Sequence, residues 1–460
     1  MNDALVFDPT LIRKYDKAGP RYTSYPTAVQ FHEGFGETEY RETALASNAT
    51  GKPLSLYVHI PFCDTVCFYC ACNKVVTKNR RHTVPYLDHL YREIALQGAL
   101  FGHDRPVAQL HWGGGTPTFI SADEMRELMR VTGEHFRLLD DDRGEYSIEV
   151  DPRETDDRTI ALLRELGFNR LSLGVQDFDS AVQKAVNRVQ SREITLKVMD
   201  AARREGFQSI SVDLIYGLPF QSVASFARTV DEIIAQDPDR ISVFNYAHLP
   251  ELFKTQRQID AGALPPPAVK LDILKTTIER LTQAGYVYIG MDHFAKPDDE
   301  LALAQQAGTL YRNFQGYSTH ADCDLIGLGT TSISMVGDSY SQNLKGLEEY
   351  YARVDAGRLA VFRGVLLDDD DRLRRAVITD LICHFTLDFA TVERRFGIRF
   401  RDYFAVELAE LADMQADGLL ALSEVGIRVL PPGRLLIRNI CMVFDRYLRE
   451  QKQQRFSKVI

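Results

Sequence analysis

From Leu54 to about Met291 the chain alternates short β-like runs with helix-compatible stretches, an order that few architectures accept. The pattern predicts strands at Leu54–Ile60, Val107–Trp112, Tyr146–Val150, Arg170–Val175, Ile210–Leu214, Ile241–Tyr246 and Tyr286–Met291. It predicts helices near Thr83–Leu100, Ser121–Phe136, Asp156–Leu166, Arg192–Glu205, Ser225–Ala235 and Val269–Ala284, and Ser121-Ala-Asp-Glu124 has the form of a capping box. Strands and helices alternating at this spacing pair in parallel through right-handed crossovers. Six or seven such units curve into a full or partial barrel, an α/β fold whose functional groups gather at the C-terminal strand ends.

That rule can be checked within the sequence. Four cysteines follow the first strand, in Cys63-Asp-Thr-Val-Cys67-Phe-Tyr-Cys70-Ala-Cys72. Gly113-Gly114-Gly115-Thr116 follows the second, Glu149 ends the third, and Gln176-Asp177 closes the fourth. The fifth carries Asp213, and the sixth leads into Asn245-Tyr-Ala247-His. Polar or glycine-rich chemistry therefore stands at one end of every strand.

Thiolates select iron–sulfur clusters, zinc or Cu(I), and C-x3-C-x2-C on one loop can hold three irons of a [4Fe–4S] cluster, leaving the fourth open to a reactant. A zinc knuckle would use four ligands, commonly as two C-x2-C pairs, and no second pair follows, since Cys323, Cys383 and Cys441 are isolated. Seven cysteines in 460 residues are too sparse for a disulfide framework. A cluster with an open iron can chelate the amino and carboxylate groups of S-adenosylmethionine, the setting for radical chemistry. Gly113–Gly115 would let backbone approach the methionine end. Glu149 would accept from ribose hydroxyls, Gln176, Arg188 and Asp213 would meet polar ligand groups, and Tyr69 would stack on adenine. The competing roles are a plain turn, a surface carboxylate, a salt bridge from Arg188 to a barrel acid, and packing of Tyr69.

A net charge of −10 gives no reason to expect a nucleic-acid partner, and the mildly basic tail (Arg446, Arg449, Lys452, Arg455, Lys458) reads as a solvated helix end. The sequence contains no apolar run of membrane-spanning length, and its start lacks a basic segment leading into an apolar one, so a cytoplasmic protein without a membrane partner is expected. Thr309–Met335, rich in Gly, Thr and Ser, is expected to close the barrel's open side. Beyond Asp368–Asp371, the apolar spacing of Leu373, Val377 and Leu381 opens a further helical region, with helices near Phe400–Ala416 and Arg434–Leu448 and a hairpin at Leu419–Leu430. The expected division is an arm over 1–50, a barrel over 51–365 and a mainly helical, winged-helix-like domain over 366–460.

Tyr57-Val-His-Ile-Pro-Phe-Cys63 and Cys67-Phe-Tyr-Cys70-Ala-Cys72-Asn-Lys resemble the radical S-adenosylmethionine superfamily, and within it the bacterial oxygen-independent coproporphyrinogen III oxidases. Further shared segments are Gly19-Pro-Arg-Tyr-Thr-Ser-Tyr-Pro-Thr27, His111-Trp-Gly-Gly-Gly-Thr-Pro117, Gly290-Met-Asp-His-Phe294, Asn313-Phe-Gln-Gly316 and Arg434-Leu-Leu-Ile-Arg-Asn-Ile-Cys-Met442. The resemblance implies a partial (β/α)6-type barrel. It also implies that Cys63, Cys67 and Cys70 bind a [4Fe–4S] cluster while Cys72 does not. It places one S-adenosylmethionine at Tyr57, Gly114, Glu149 and Ile333, and a second at Tyr69, Gly115, Thr116, Gln176, Arg188, Asp213 and Ala247. The implied reaction converts the ring A and ring B propionates of coproporphyrinogen III to vinyl groups, in a monomer served by an electron donor and acceptor that the sequence does not identify. Arg21, with Tyr22, and more weakly Arg434 and Arg438 are candidates for the substrate's carboxylates. The alternative is a haem-binding chaperone on the same scaffold; such relatives generally lack the fourth cysteine and the Arg-Tyr-Thr-Ser-Tyr segment, and both are present here.

Overall fold

The computed structural model describes residues 5–450; Met1–Ala4, and Lys452, Arg455 and Lys458 of the basic tail, lie outside them. Contacts group the chain into two compact units, Phe31–Ile273 with Asp322–Leu366, and Met1–Gln30 with Leu274–Ala321 and Leu367–Ile460.

The first unit is built on parallel strands β1 (Leu54–Ile60), β2 (Pro106–Gly114), β3 (Glu145–Val150), β4 (Arg170–Gln176), β5 (Ser209–Tyr216) and β6 (Arg240–Asn245), each paired with the next. Asp324–Leu328 (β7) joins the free edge of β1, also in parallel. Ile333–Val336 (β8), Ser339–Asn343 (β9) and Val361–Leu366 (β10) continue the sheet in antiparallel fashion. Of the predicted Thr309–Met335 closure, the segment from Asp324 onward therefore extends the β1 edge, while Tyr311–Asn313 and Gly316–Ser318 pair as a separate hairpin.

The crossover helices start where their caps dictate. Ser121 Oγ accepts from Glu124 N at 3.3 Å while Glu124 Oε2 accepts from Ser121 N at 2.7 Å, the reciprocal capping box. Asp156 and Ser191 cap Asp157–Glu165 and Arg192–Arg204 in the same position.

Side-chain direction alternates along each strand, and the sequence uses both faces. In β4, Leu171, Leu173 and Val175 are buried, whereas Ser172, Gly174 and Gln176 are partly exposed. In β5, Ile210, Val212 and Leu214 are buried, and Ser211, Asp213 and Ile215 are partly exposed. Each buried aliphatic side chain contributes about 1.5–3 kcal/mol. The apolar row thus anchors the sheet while the polar row is left facing the barrel interior.

One buried ion pair closes the β7 side. Arg105 Nη2 lies 2.5 Å from Asp324 Oδ2, with the side chains 1% and 5% exposed. Arg105 also donates to Lys52 O (2.6 Å) and Ser47 Oγ (3.0 Å), and Asp324 Oδ1 accepts from Gly337 N at 2.9 Å.

In the second unit, Asp368 Oδ1 accepts from Asp371 N at 2.7 Å and starts helix Asp369–His384, which buries Leu373, Val377 and Leu381 as the spacing predicts. The predicted hairpin is present as Leu420–Leu422 and Gly426–Val429, and Thr386–Asp388 adds a third antiparallel strand. The predicted Phe400–Ala416 helix is broken. Phe404 leaves helical dihedrals (φ −102°, ψ 29°) and packs its ring against Phe400 and Phe444. The Arg434–Leu448 helix is likewise divided, into Pro431–Arg434, Ile437–Val443 and Arg446–Glu450. The run Tyr286–Met291 is not a seventh β/α strand. Gly290 (φ 149°) and Met291 (φ 55°) reverse the chain, so that Val287–Gly290 pairs antiparallel with His293–Ala295.

Replacing Asp324 by alanine strands the Arg105 charge in the interior, so stability should fall by about 3–5 kcal/mol. Urea unfolding midpoints of the purified variant measure this; a loss below about 1 kcal/mol would mean the pair behaves like a solvated one.

Candidate active site

At the C-terminal ends of β1–β5, a cavity of about 330 Å³ is lined by Cys63, Cys67, Cys70 and Cys72 on one side. Gly114, Gly115, Thr116, Glu149, Gln176, Arg188 and Asp213, with Tyr69, line the remainder. Of the residues predicted from sequence, Tyr57, Ala247 and Ile333 are not in this lining. Tyr57 stands one row deeper, its ring stacked on His111 at 5.8 Å and its hydroxyl 3.1 Å from His59 Nδ1. Ile333 approaches it indirectly, because its backbone covers Gly327, the β7 partner of Tyr57. Ala247 lies two residues past the end of β6.

The cysteine loop is tied down from several elements. Phe68 N donates to Val186 O (3.0 Å), Asn187 Nδ2 to Val66 O (2.8 Å) and Gln256 Nε2 to Tyr69 O (3.0 Å). Thr255 Oγ1 and Lys74 Nζ both donate to Cys70 O, at 3.2 and 3.0 Å. Tyr69 packs with Phe68 on the apolar cluster of Val182, Val186, Leu218, Tyr246 and Ile259, so its packing role is real alongside its place in the lining.

Donors surround the sulfurs. Thr116 Oγ1 is 3.6 Å from Cys63 Sγ, and Arg188 Nη1 and Arg153 Nη2 are 3.5 and 3.7 Å from Cys67 Sγ. Hydrogen bonds from the Cys72 thiol hold Cys70 down to about 6 against its burial, with help from the Lys74 charge, whereas burial pushes Cys63 up to about 11. Every cysteine is a free thiol. Three soft ligands on one restrained loop, with cationic and hydroxyl donors at the sulfurs, fit a cluster.

The glycines are dictated by close approach. A Cβ on Gly114, whose φ is 118°, would lie 2.7 Å from the His59 ring, and one on Gly115 would lie 2.7 Å from Phe62 O. Gly114 N donates to Glu149 Oε2 at 3.1 Å. Burial raises the Glu149 carboxyl, but His111 and the Gly114 amide outweigh it, and the group sits below the usual carboxylate range. Asp213, bonded by Ser172 Oγ at 3.1 Å, is pushed by burial up to about 6. Gln176 holds a left-handed φ of 67° beside a β-bulge, and its Oε1 is buried without a partner. Strain and an orphaned acceptor at one residue point to a ligand that supplies the missing donor. Together with the glycine cradle, these features fit S-adenosylmethionine.

Sequence reasoning gave no role to Arg153, Ser172 or Asp151. Asp151 Oδ2 receives Arg188 Nη1 at 3.0 Å and Arg153 Nη2 at 2.7 Å. The salt bridge weighed for Arg188 is therefore present, and its Nε remains buried without an acceptor. The sequence offered the Arg188 bridge without its acid, and gave no signal for Arg153 as the second cation on Asp151.

The Radical SAM superfamily model matches residues 57–233, and the HemN C-terminal domain model matches residues 367–436. An oxygen-independent coproporphyrinogen III oxidase of Pseudomonas aeruginosa is 58% identical over 460 residues, covering 100% of both chains. The chain belongs to the oxygen-independent coproporphyrinogen III oxidase family. A relative of the same name from Escherichia coli is 52% identical over 99% of this chain and 98% of its own. The solved coproporphyrinogen III oxidase of Escherichia coli, described as a radical SAM enzyme, superposes with a TM-score of 0.92 at 50% identity, over 96% of this chain and 100% of that one. Membership brings the family's radical SAM fold, its [4Fe–4S] cluster and S-adenosylmethionine. No helix among the described residues is long and apolar enough to cross a membrane.

Alanine at Cys63, Cys67 or Cys70 should each drop iron from about four per chain to below about one in anaerobically reconstituted protein, while Cys72→Ser keeps it. Iron and sulfide analysis decides this; iron loss in the Cys72 variant would make it a ligand.

Proposed function

We propose that the chain carries out the oxygen-independent oxidative decarboxylation of coproporphyrinogen III to protoporphyrinogen IX. Each of two propionates, on rings A and B, gives up a hydrogen atom from its β-carbon and one further electron, and its carboxylate departs as CO2, so that the two remaining carbons form a vinyl group. The observation that carries this reading is full-length 58% identity to a relative of that name, combined with a restrained cysteine loop opening on a cavity.

Bound at this site, the [4Fe–4S] cluster and S-adenosylmethionine supply one-electron, hydrogen-abstracting chemistry. The chain's own residues hold and orient them. Cys63, Cys67 and Cys70 are the proposed ligands, and Cys72 is a neighbouring thiol rather than a fourth ligand. Tyr57, Gly114, Glu149 and Ile333 would surround one S-adenosylmethionine. Glu149, ionised and held by Gly114 N, presents acceptor oxygens. Tyr69, Gly115, Thr116, Gln176, Arg188, Asp213 and Ala247 would surround a second, and two decarboxylations give that second molecule a chemical purpose. The Gln176 Oε1 and Arg188 Nε, both without partners, would there find a donor and an acceptor. We assign the protein to the cytoplasm as a monomer, drawing one electron for the cluster from a reductant and passing the surplus substrate electron to an acceptor.

Anaerobically reconstituted protein given coproporphyrinogen III, S-adenosylmethionine and a strong reductant should release CO2, methionine and 5′-deoxyadenosine with divinyl product. A sample with full cluster that cleaves S-adenosylmethionine yet forms no vinyl groups contradicts the substrate; one that binds haem tightly and turns nothing over favours a chaperone.

Asp213 also sets a pH dependence. Its folded value of about 6 lies above that of a free aspartate, so between about pH 4 and 6 the folded chain binds the extra proton. Above pH 6 the carboxylate is ionised and attracts a sulfonium cation. Affinity for S-adenosylmethionine should therefore rise by up to about tenfold from pH 5 to pH 7, and Asp213→Asn should flatten the profile. Equilibrium dialysis at each pH reads this; an unchanged slope in the variant would remove Asp213 from the site.

A further inference from the structure

Arg153 lines the cavity beside Cys67 and has no part so far in holding either S-adenosylmethionine. Local chain geometry sets it there. Directly after β3, Asp151 Oδ1 accepts from both Arg153 N and Arg153 Nε at 3.0 Å, at the start of the helical turn Pro152–Glu154. Arg153 Nη2 then donates to Asp151 Oδ2 at 2.7 Å, so both carboxylate oxygens grip one guanidinium. The side chain is left 17% exposed, with Nη2 3.7 Å from Cys67 Sγ.

Arg188 meets the same two atoms from another element, its Nη1 lying 3.0 Å from Asp151 Oδ2 and 3.5 Å from Cys67 Sγ. Among the described residues, Cys67 is the one cysteine of the loop whose sulfur meets guanidinium groups; Cys63 Sγ meets the Thr116 hydroxyl at 3.6 Å. Two cations that share one carboxylate oxygen repel each other. Asp151 cancels one of their charges, and the other remains beside the sulfur. The nearby acids Asp64 and Glu154 turn instead to Arg80. Asp151, Arg188 and Cys67 are all buried, so water and salt screen the surplus charge weakly. Such an arrangement is stabilised where more negative charge arrives, and Cys67 Sγ is where cluster binding brings it.

We propose that Arg153, held on Asp151, sets the reduction potential of the cluster by acting through Cys67. The proposal deepens the functional reading above and rests on Cys63, Cys67 and Cys70 holding that cluster. Reduction takes one electron from the external one-electron reductant; no bond forms or breaks, and the cluster with its ligands gains one negative charge. A cation or hydrogen-bond donor at a ligand sulfur favours the more negative, reduced form. Arg153 therefore eases entry of the electron, while Asp151, of opposite sign, moderates the effect and fixes the guanidinium in place. Arg153 is in this sense a positioning residue: it places a charge and touches no reacting atom.

The test is a potentiometric titration of the anaerobically reconstituted full-length protein, read by electron paramagnetic resonance of the reduced cluster. Wild type, Arg153→Gln, Arg153→Lys and Asp151→Asn are compared, with iron, sulfide and melting temperature measured on the same samples. Arg153→Gln should lower the midpoint potential by about 60 mV, a tenfold smaller reduction constant for one electron. Arg153→Lys should keep most of the wild-type value, and Asp151→Asn should shift the midpoint the other way, upward. Loss of a merely structural contact would cost iron or melting temperature without producing shifts of opposite sign. An Arg153→Gln protein that holds about four irons at the wild-type midpoint overturns the proposal, as do shifts of the same sign in Arg153→Gln and Asp151→Asn. If Arg153→Gln does not hold the cluster, Asp151→Asn decides, and a midpoint at or below that of wild type overturns the proposal. Wild-type protein that loads no cluster refutes the underlying reading instead.

Discussion

The guanidinium of Arg188 is the interaction on which the site depends. It reaches Cys67 Sγ at 3.5 Å, Asp151 Oδ2 at 3.0 Å and Gly174 O at 2.6 Å, so one planar group joins the cysteine loop to the ends of β3 and β4. Burial pushes the Asp151 carboxyl up, but Arg188 and Arg153 together hold it below the usual range, and the carboxylate stays charged. A buried carboxylate between two arginines is stable only while both remain. The sulfur that needs a donor and the acid that needs a cation therefore constrain the same side chain.

Around this pivot the barrel supplies chemistry through strand period. The partly exposed rows of β1–β5 place Tyr57, His111, Glu149, Ser172 and Asp213 on successive inward positions, while the alternate residues form the core. Changing the register of one strand by a single residue would send its polar row into the core. Fold and site are consequently specified by the same alternation, and Gly114 and Gly115 stand at the end of β2 because the His59 ring and the Pro61–Phe62 backbone occupy their Cβ positions.

Much of this was legible beforehand, for identifiable reasons. Strand ends and the cysteine loop follow from local pattern, and Ser121-to-Glu124 capping needs only four consecutive residues. What escaped depended on contacts distant in sequence or on backbone bends. The Asp151–Arg153–Arg188 group forms across 37 positions, which no spacing rule encodes. The turn at Gly290–Met291 converted an expected seventh parallel strand into an antiparallel pair. Burial of Phe404 broke a helix whose apolar spacing was sound. Roles taken from family resemblance differ in standing: most of the assigned residues line one cavity, whereas Tyr57, Ile333 and Ala247 stand outside its lining.

The central claim is that the loop of Cys63, Cys67 and Cys70 builds a cluster with one iron open to S-adenosylmethionine. Electron–nuclear double resonance on reduced, reconstituted protein, with 15N at the amino group and 17O at the carboxylate of S-adenosylmethionine, tests it most directly. The account predicts hyperfine coupling from both labels to the cluster, retained in Cys72→Ser. A full cluster showing no coupling to either label would contradict it.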